Sequence, residues 1–342
     1  MPRPTAALKP NPFALFRKLT TVRPQEPKLT IGVDLGTTAV KAVALGMRRG
    51  GGLRPVVGQS QIPLTAGQDV DASDAIKAAM SALNLSSRIV NLSVSGQWVI
   101  IRIIEMPAMK PAEVKQALPF EAQRYLPFNV QEVIIDGTIL GPSGSGKQWV
   151  LIVACKKELI ERRLDWAKRA GVDVALIDVD ALALANAFLS TGRAGSAHQT
   201  CTLIDVGAQL TNLVIFQGEI PYLVRDIPWG GEKFIRSAAE QLGIEASALS
   251  AQLAKAEASP ELVGALKLSV EALVTELQLS FDYFENKFGQ PPEAVLVTGG
   301  LSQSPTFLSA LQSHVTQPVT PWMPVPTVPA SLSVAYGLAL RS

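Results

Sequence analysis

Residues 32–45 read GVDLGTTAVKAVAL, and residues 203–216 read LIDVGAQLTNLVIF. In both, an apolar run reaches an aspartate, one apolar residue and a glycine. A few small or polar residues follow, then a second apolar run. This is the pattern of a tight β-hairpin. Asp34 matches Asp205 and Gly36 matches Gly207, while Thr37 and Thr38 stand opposite Ala208 and Gln209, with Thr211 slightly further on. Each hairpin leads into a third strand-like run, GLRPVVGQSQIPL or EIPYLVRDI, and then into helical sequence. A supersecondary unit that occurs twice fixes architecture. The expectation is an α/β chain of two lobes whose equivalent hairpins face each other across a cleft.

The hairpins carry chemistry. Glycine at a tight turn lets backbone N–H groups approach a phosphate, and threonine hydroxyls add donors. A carboxylate just before the turn would repel phosphate directly. Its sensible task is to hold Mg²⁺ through water, because Mg²⁺ keeps several waters and uses one or two carboxylates. Asp34 and Asp205, one from each lobe, would then flank the ion. Residues 291–315, PPEAVLVTGGLSQSPTFLSALQSHV, give a strand, Gly299 and Gly300, and a helix with Pro305 in its first turn. Backbone at such a turn can lie against an adenosine ring or α-phosphate; the alternative is a close-packed turn. In WGGEKF (229–234), Gly231, Glu232 and Lys233 open a helix near the second hairpin. Glu232 and Lys233 are within reach of ribose and adenine, or Glu232 simply favours the helix dipole.

GPSGSGK at 141–147 fits the opening of a phosphate-binding P-loop, but Gln148 stands where Ser or Thr must hold Mg²⁺. The segment also runs into QWVLIVAC, a strand rather than a helix, so it reads as a hairpin tip. The 342 residues suffice for two domains, and 47% hydrophobic against 18% charged describes large cores rather than disorder. A net charge of +2 gives nucleic acid no footing. Cys155 and Cys201 lie in strand-like runs and read as buried free thiols, which excludes a disulfide scaffold. His198 and His314 have no second ligand at metal spacing, which argues against zinc. No run reaches the roughly 18–20 apolar residues of a membrane span. Residues 1–27 are basic and proline-broken, lack the apolar centre of a signal peptide, and read as a tail. FALFRKL within it has the alternative of a short amphipathic foot for a membrane or partner.

Between the hairpins, DVDASDAIKAAMSALNL is a helix with Ile76, Met80 and Leu83 on one face, and RIVNLSVS a strand. QWVIIRIIEMP is a strand, and KPAEVKQALPFEAQRYLPF opens with Pro near the start of a helix that Pro119 would kink. Two strands around 141–147 follow, then KELIERRLDWAKRAG, a helix ended by Gly171. VDVALIDVDALALANAFLS runs from strand into helix.

First hairpin, connecting helix, second hairpin and Gly299–Gly300 turn, in this order, make the sequence resemble the actin-like (ribonuclease H-like) ATPase superfamily. Within it, the MP strand end, the YLPF after an acidic helix, the LIDVDALALANAF connector and the terminal AYGLALRS resemble the PilM family of type IV pilus assembly proteins, related to FtsA. The resemblance covers residues 28–342. It implies an actin-like two-lobed fold with an FtsA/PilM-type inserted subdomain: a first lobe from 28–96 and 173–196, an inserted βαββα subdomain at 97–172, a second lobe from 197–228 and 290–342, and its helical part at 229–289.

The resemblance further implies ATP with Mg²⁺. Asp34, Gly36, Thr37 and Thr38 would form the first phosphate site, and Asp205, Gly207 and Thr211 the second. Gly231, Glu232, Lys233, Gly299, Gly300 and Ser302 would take the ribose and adenine. Relatives also carry a lysine at Lys41, and strand alternation leaves its direction open. Gln209 replaces a frequent hydroxyl, and Gln278 and Leu279 stand where relatives often place an arginine near the base. Asp178 and Asp180 lie where actin relatives orient the attacking water, although Asp180 also reads as a helix N-cap. Slow or absent hydrolysis is expected. The implied partner is the cytoplasmic N-terminal peptide of PilN at the inner membrane, with other pilus motor or platform proteins further candidates. The peptide would lie on the inserted subdomain, against QWVIIRII and the helix bearing Phe120, Tyr125 and Leu126. The chain would be cytoplasmic and peripheral to that membrane through its partner. Two alternatives are a sugar-type kinase, which GGLSQSPTF resembles, and an FtsA-like filament former.

Overall fold

The computed structural model describes residues 29–48, 52–64, 72–192, 199–253 and 259–341. The expected basic tail and His198 lie outside the described residues. The chain divides into two compact units: residues 100–154, and the sequence on either side of them.

The larger unit holds two five-stranded sheets built on one plan. The first uses β1 (Leu29–Leu35), β2 (Ala39–Gly46), β3 (Val56–Pro63), β4 (Ile89–Val94) and β8 (Asp173–Val179), ordered β3-β2-β1-β4-β8. The second uses β9 (Thr200–Val206), β10 (Thr211–Gln217), β11 (Ile220–Ile227), β12 (Val295–Gly299) and β13 (Val319–Pro321), ordered β11-β10-β9-β12-β13. In each, three hairpin-linked antiparallel strands are followed by two parallel ones. The apolar runs of β2 and β10 are buried almost throughout, as strands covered on both faces require.

Parallel strands need crossovers. In the first sheet α1 (Ser73–Ala82) links β3 to β4. In the second, α5 (Gly231–Leu242), α6 (Ala246–Leu253) and α7 (Pro260–Phe288) link β11 to β12, and α8 (Pro305–Gln312) links β12 to β13. The counterpart of α8 is α3 (Lys157–Ala170), which leads into β8. Its Ala167 and Ala170 are buried with Ile76 and Met80 of α1. Helix α3 was expected within an inserted subdomain of 97–172; the structure places it in the first lobe and confines the separate unit to 100–154. The reason is the β4–β8 pair, which cannot form without its crossover helix.

Two helices are exchanged between the lobes. Helix α4 (Asp180–Ser190) leaves β8 and packs against β10 and β11. Helix α9 (Ser333–Ala339), from the end of the chain, packs on β1 and β2. The Phe188 ring of α4 lies 4.8 Å from Phe216 and 5.8 Å from Trp322. The two helices also cross each other: a Cβ on Gly337 would stand 1.8 Å from the Ala183 carbonyl oxygen, and one on Gly32 would stand 2.1 Å from that of Ala335. Sequence boundaries had kept 173–196 with the first lobe and 290–342 with the second.

The smaller unit has the sheet order β5-β7-β6, from β5 (Val99–Pro107), β6 (Val133–Gly144) and β7 (Lys147–Lys156). Its helix, α2 (Pro111–Ala122), packs along β6. Leu118 reaches Gly137, where a Cβ would leave only 3.0 Å. Ile104, Met106, Val114, Val150 and Ile152 complete the core. The P-loop-like stretch is the β6–β7 hairpin tip, with Ser145 at φ 47 between two positive-φ glycines.

Gly337→Ala is expected to destabilise the protein by at least about 2 kcal/mol, because the new methyl meets backbone that cannot yield. Gly264→Ala, in the interior of α7 with open space around its Cα, should instead stabilise by about 0.5–1 kcal/mol. Urea unfolding of the two variants beside the parent measures both.

Candidate functional site

Asp34 sits at the end of β1, and hairpin register makes Lys41 its cross-strand partner. Lys41 Nζ lies 3.1 Å from Asp34 Oδ2, so the lysine that alternation left open faces the carboxylate. Burial alone would lower the Lys41 pKa; the charges of Asp34, Asp205 and Asp180 outweigh it and raise the value, which keeps the ammonium protonated. Lys41 thus pairs with Asp34 and feels the charges of Asp205 from the other hairpin and of Asp180 at the start of α4, and Arg163 feels Asp180 and Asp34. Burial, with Asp34 and Asp180 adding and Lys41 opposing, pushes the Asp205 carboxyl up to about 7. Burial and then the Asp34 charge push Asp180 up to about 6, against the hydroxyls of Ser93 and Ser95.

The two candidate catalytic carboxylates separate here. Asp178 Oδ1 accepts from the Val179 N–H at 2.8 Å, and its Oδ2 pairs with Arg341 Nε at 3.1 Å. It is a tie to the C-terminal segment. Asp180 belongs to the cluster, and it is not an N-cap: Val179 holds that position and Asp180 is the first helical residue.

Around the second hairpin, three glycine-bearing turns stack backbone on backbone. Gly207 N–H donates to the Leu210 carbonyl at 3.0 Å, closing the turn. Gly231 N–H donates to the Gly207 carbonyl and Glu232 N–H to the Ala208 carbonyl, both at 2.8 Å. A Cβ on Gly230 would stand 2.5 Å from the Ala208 oxygen. Gly299 has φ +90, and its Cβ would stand 2.4 Å from Asp205 Oδ1, so only glycine fits beside that carboxylate. Gly300 N–H donates to the Val206 carbonyl at 3.2 Å, and its Cα faces open space.

The structure gives Thr211 and Ser302 other tasks than the phosphate and nucleoside contacts expected of them. Thr211 is buried and its hydroxyl donates to the Trp229 carbonyl at 2.8 Å. Ser302 is buried and its hydroxyl donates to the Gly299 carbonyl at 2.8 Å, which locks the turn. Thr37 and Thr38 are exposed at the first turn beside Gly36, and Lys233 is exposed on α5. Gln209 Nε2 donates to Glu232 Oε2 at 3.0 Å and so binds the second turn to α5. Gln278 is exposed and donates to Asp282 one turn further along α7. Sequence reasoning missed Ser93 and Ser95 beside Asp180. The direction of Lys41 was available from the register of a turn spanning 36–39.

The model of the family "Type IV pilus assembly protein PilM" matches residues 32–342. The chain belongs to the PilM family. Among solved structures it is similar to a chain of a PilM–PilN type IV pilus biogenesis complex, with TM-score 0.77 and 23% identity over 92% of this chain and 98% of that one. It is also similar to a Bacteroides thetaiotaomicron protein with actin-like ATPase fold, with TM-score 0.52 and 10% identity over 92% and 96% of the two chains. A third match is MreB5 of Spiroplasma citri bound to ADP, with TM-score 0.51 and 15% identity over 92% and 96%. The fold is thus actin-like, and this PilM-family chain is an actin-like component of type IV pilus assembly. Among the described residues, no helix is long and apolar enough to cross a membrane.

The cluster of this PilM-family chain makes stability depend on pH. The folded protein keeps the Asp205 carboxyl up at about 7, whereas the unfolded chain releases that proton near pH ~4. Between those values the folded state binds more protons, so the stability this group contributes is full below about pH 4 and lost as pH rises through about 7. Asp205→Asn removes the loss. The variant should match the parent at pH 4 and exceed its stability by roughly 1–3 kcal/mol at pH 8, allowing for partial exposure. Denaturant unfolding at both pH values checks this, and equal pH dependence in the two proteins would contradict it.

Proposed function

We propose that this chain binds Mg²⁺–ATP between its two hairpins and carries the cytoplasmic N-terminal peptide of PilN on the 100–154 unit, as a cytoplasmic component held at the inner membrane by that partner. One observation carries the nucleotide reading: Asp34 pairs with Lys41 at 3.1 Å, and the charges of Asp205 and Asp180 act on the same ammonium. With Arg163, which feels Asp180 and Asp34, two cations face three carboxylates; burial first, and then the neighbouring carboxylates, raise the carboxyls of Asp180 and Asp205. Carboxylates suit a hard divalent cation, and Mg²⁺ keeps several of its waters, so Asp34 and Asp205 would act through the ion's water shell.

The remaining roles follow from placement. The turns at Gly36 and Gly207 present backbone N–H groups to the phosphates, and Thr37 and Thr38 add hydroxyls. Lys41 offsets phosphate charge. Gly299, Gly300, Gly231, Glu232 and Lys233 would take the nucleoside. Magnesium, when bound, neutralises the phosphate oxygens. Asp180, ionised at neutral pH, orients water, and turnover is slow or absent because the nucleotide serves chiefly to hold the lobes together. A ligand at 100 times its Kd contributes about 2.7 kcal/mol to that closed form.

For the peptide, the exposed side chains of the smaller unit matter. Phe120 is 76% exposed and Tyr125 39%, whereas Ile101 and Ile104 are buried and Leu126 packs on the core. These exposures support a peptide surface on the helical side bearing Phe120 and Tyr125 rather than on the buried isoleucines of β5. The solved PilM–PilN complex and the ADP-bound MreB5 support the two halves of the reading.

Lys41→Ala is expected to weaken Mg²⁺–ATP binding at least about tenfold, the loss of one charge-assisted contact, while Asp178→Asn leaves it intact; calorimetry with the full chain measures both. Phe120→Asp should weaken binding of a PilN N-terminal peptide at least about tenfold from a micromolar Kd, as removing an exposed aromatic anchor does. Absence of peptide binding by folded parent protein would count against the partner assignment.

A further inference from the structure

Asp226, on β11, is not among the residues assigned to the nucleotide site above, although its charge reaches Asp180. Its carboxylate nevertheless makes two short bonds. Oδ1 accepts from Asn212 Nδ2 at 2.7 Å, within the second sheet. Oδ2 accepts from the backbone N–H of Gly96 at 2.7 Å, and Gly96 belongs to the first lobe. Hydrogen bonds to a carboxylate are about twice as strong as neutral ones. Gly96 has φ +89, a conformation that L side chains rarely adopt. The bond therefore holds a specific backbone geometry at one point of the 95–98 connection between β4 and β5.

That connection is fixed at three successive places. Ser95 lies beside Asp180. Gly96 is held from the second lobe by Asp226. The Trp98 carbonyl accepts from the Lys156 N–H at 3.1 Å, and Lys156 Nζ stands 4.2 Å above the Trp98 ring. Residues 98 and 156 are where the chain leaves for the 100–154 unit and where it returns. The other lobe has a weaker counterpart. Register pairs Asn212 with Asp226 and Lys41 with Gln61, and Gln61 accepts from the Ser331 hydroxyl at 3.1 Å. Of the two equivalent positions, the one that reaches the root of β5 carries the charge.

We infer that Asp226 is an inter-lobe latch: through Gly96 it couples the separation of the two hairpins to the backbone at the root of β5. Moving the second lobe away from the first must break the Gly96–Asp226 bond or pull the 95–98 segment with it. The coupling to nucleotide rests on the function proposed above; the latch itself does not.

The test uses amide hydrogen exchange by mass spectrometry on the full chain, comparing the parent with Asp226→Asn and Asp226→Ala. Asn keeps the volume but has one acceptor for two donors. In the free protein, exchange at residues 96–98 should rise at least about tenfold in both variants, the loss of one charge-assisted bond. In the parent, saturating Mg²⁺–ATP should change exchange in 99–107, and the variants should bind Mg²⁺–ATP yet lose most of that change. Unaltered exchange at 96–98 in both variants would overturn the latch, and so would a full ATP-dependent change in 99–107 that survives in them. If the parent binds no nucleotide, the proposed function fails, while exchange at 96–98 in the free protein still decides the latch.

Discussion

Each lobe of the larger unit completes its core with a helix contributed by the other half of the chain, and that exchange rests on glycine. Gly337 and Gly32 let α9 settle between the Ala183 backbone and β1 at distances no side chain could share. Every residue of α9 is buried. A buried helix end must find partners for its last carbonyls, and the first sheet supplies them. The Thr30 hydroxyl donates to the Ala339 carbonyl, and Asn91 Nδ2 donates to those of Leu338 and Arg341, at 2.9 Å each. The Asp178–Arg341 pair fixes the residue after the helix. The two sheets thus share α4 and α9, and the carboxyl-terminal ends of β1 and β9 are brought to one junction.

The junction is symmetric in backbone and asymmetric in charge. Asp34 and Asp205 occupy equivalent hairpin positions, but their cross-strand partners are Lys41 and Asn212. Asp34 has an ammonium 3.1 Å away, while Asn212 directs its amide to Asp226 instead. The second hairpin thus carries its acid without a matched cation. Burial raises its carboxyl to about 7, with Lys41 opposing from the other hairpin, where a free aspartate stays far lower. This is the side of the junction at which an added positive charge gains most, and Gly299 presses against the same carboxylate.

The duplicated hairpin was legible because it is local: aspartate, glycine and two apolar runs lie within fourteen residues, and the register of the turn follows from them. The stacked glycine turns were legible as pieces, since Gly207, Gly231 and Gly299 each sit at a strand or helix end. What escaped the sequence was long-range. Helices α4 and α9 are apolar on nearly every face, so their pattern states burial without saying in which lobe. Helix α3 is amphipathic and fits either unit; only the β4–β8 pairing, remote in sequence, assigns it. Thr211 and Ser302 lie beside the right glycines, but the demand of nearby buried carbonyls for donors took their hydroxyls. GPSGSGK shows the converse, a motif whose letters match while the flanking strands dictate a hairpin.

The equivalence of the sheets also explains why the 100–154 unit is rooted where it is. Parallel register sets Thr298 beside Asp205 and Gly299 beside Val206; in the first sheet it sets Gly32 beside Asn91, which carries on to Ser93 beside Asp34. The connection after β4 is therefore the counterpart of the Gly299–Gly300 turn after β12. In the second lobe this position is closed at once by α8, and its backbone lies against Asp205. In the first lobe the same position opens, the chain runs out through Gly96 and Trp98, and it returns at Lys156 to begin α3. An insertion there lengthens a crossover without disturbing either parallel pair, since only its two ends must meet, and the Trp98–Lys156 contact holds them together. Along the chain, Trp98 follows Ser95 by three residues and Ser93 by five, so the exit of the inserted segment belongs to the same β4 connection as the serines beside Asp180.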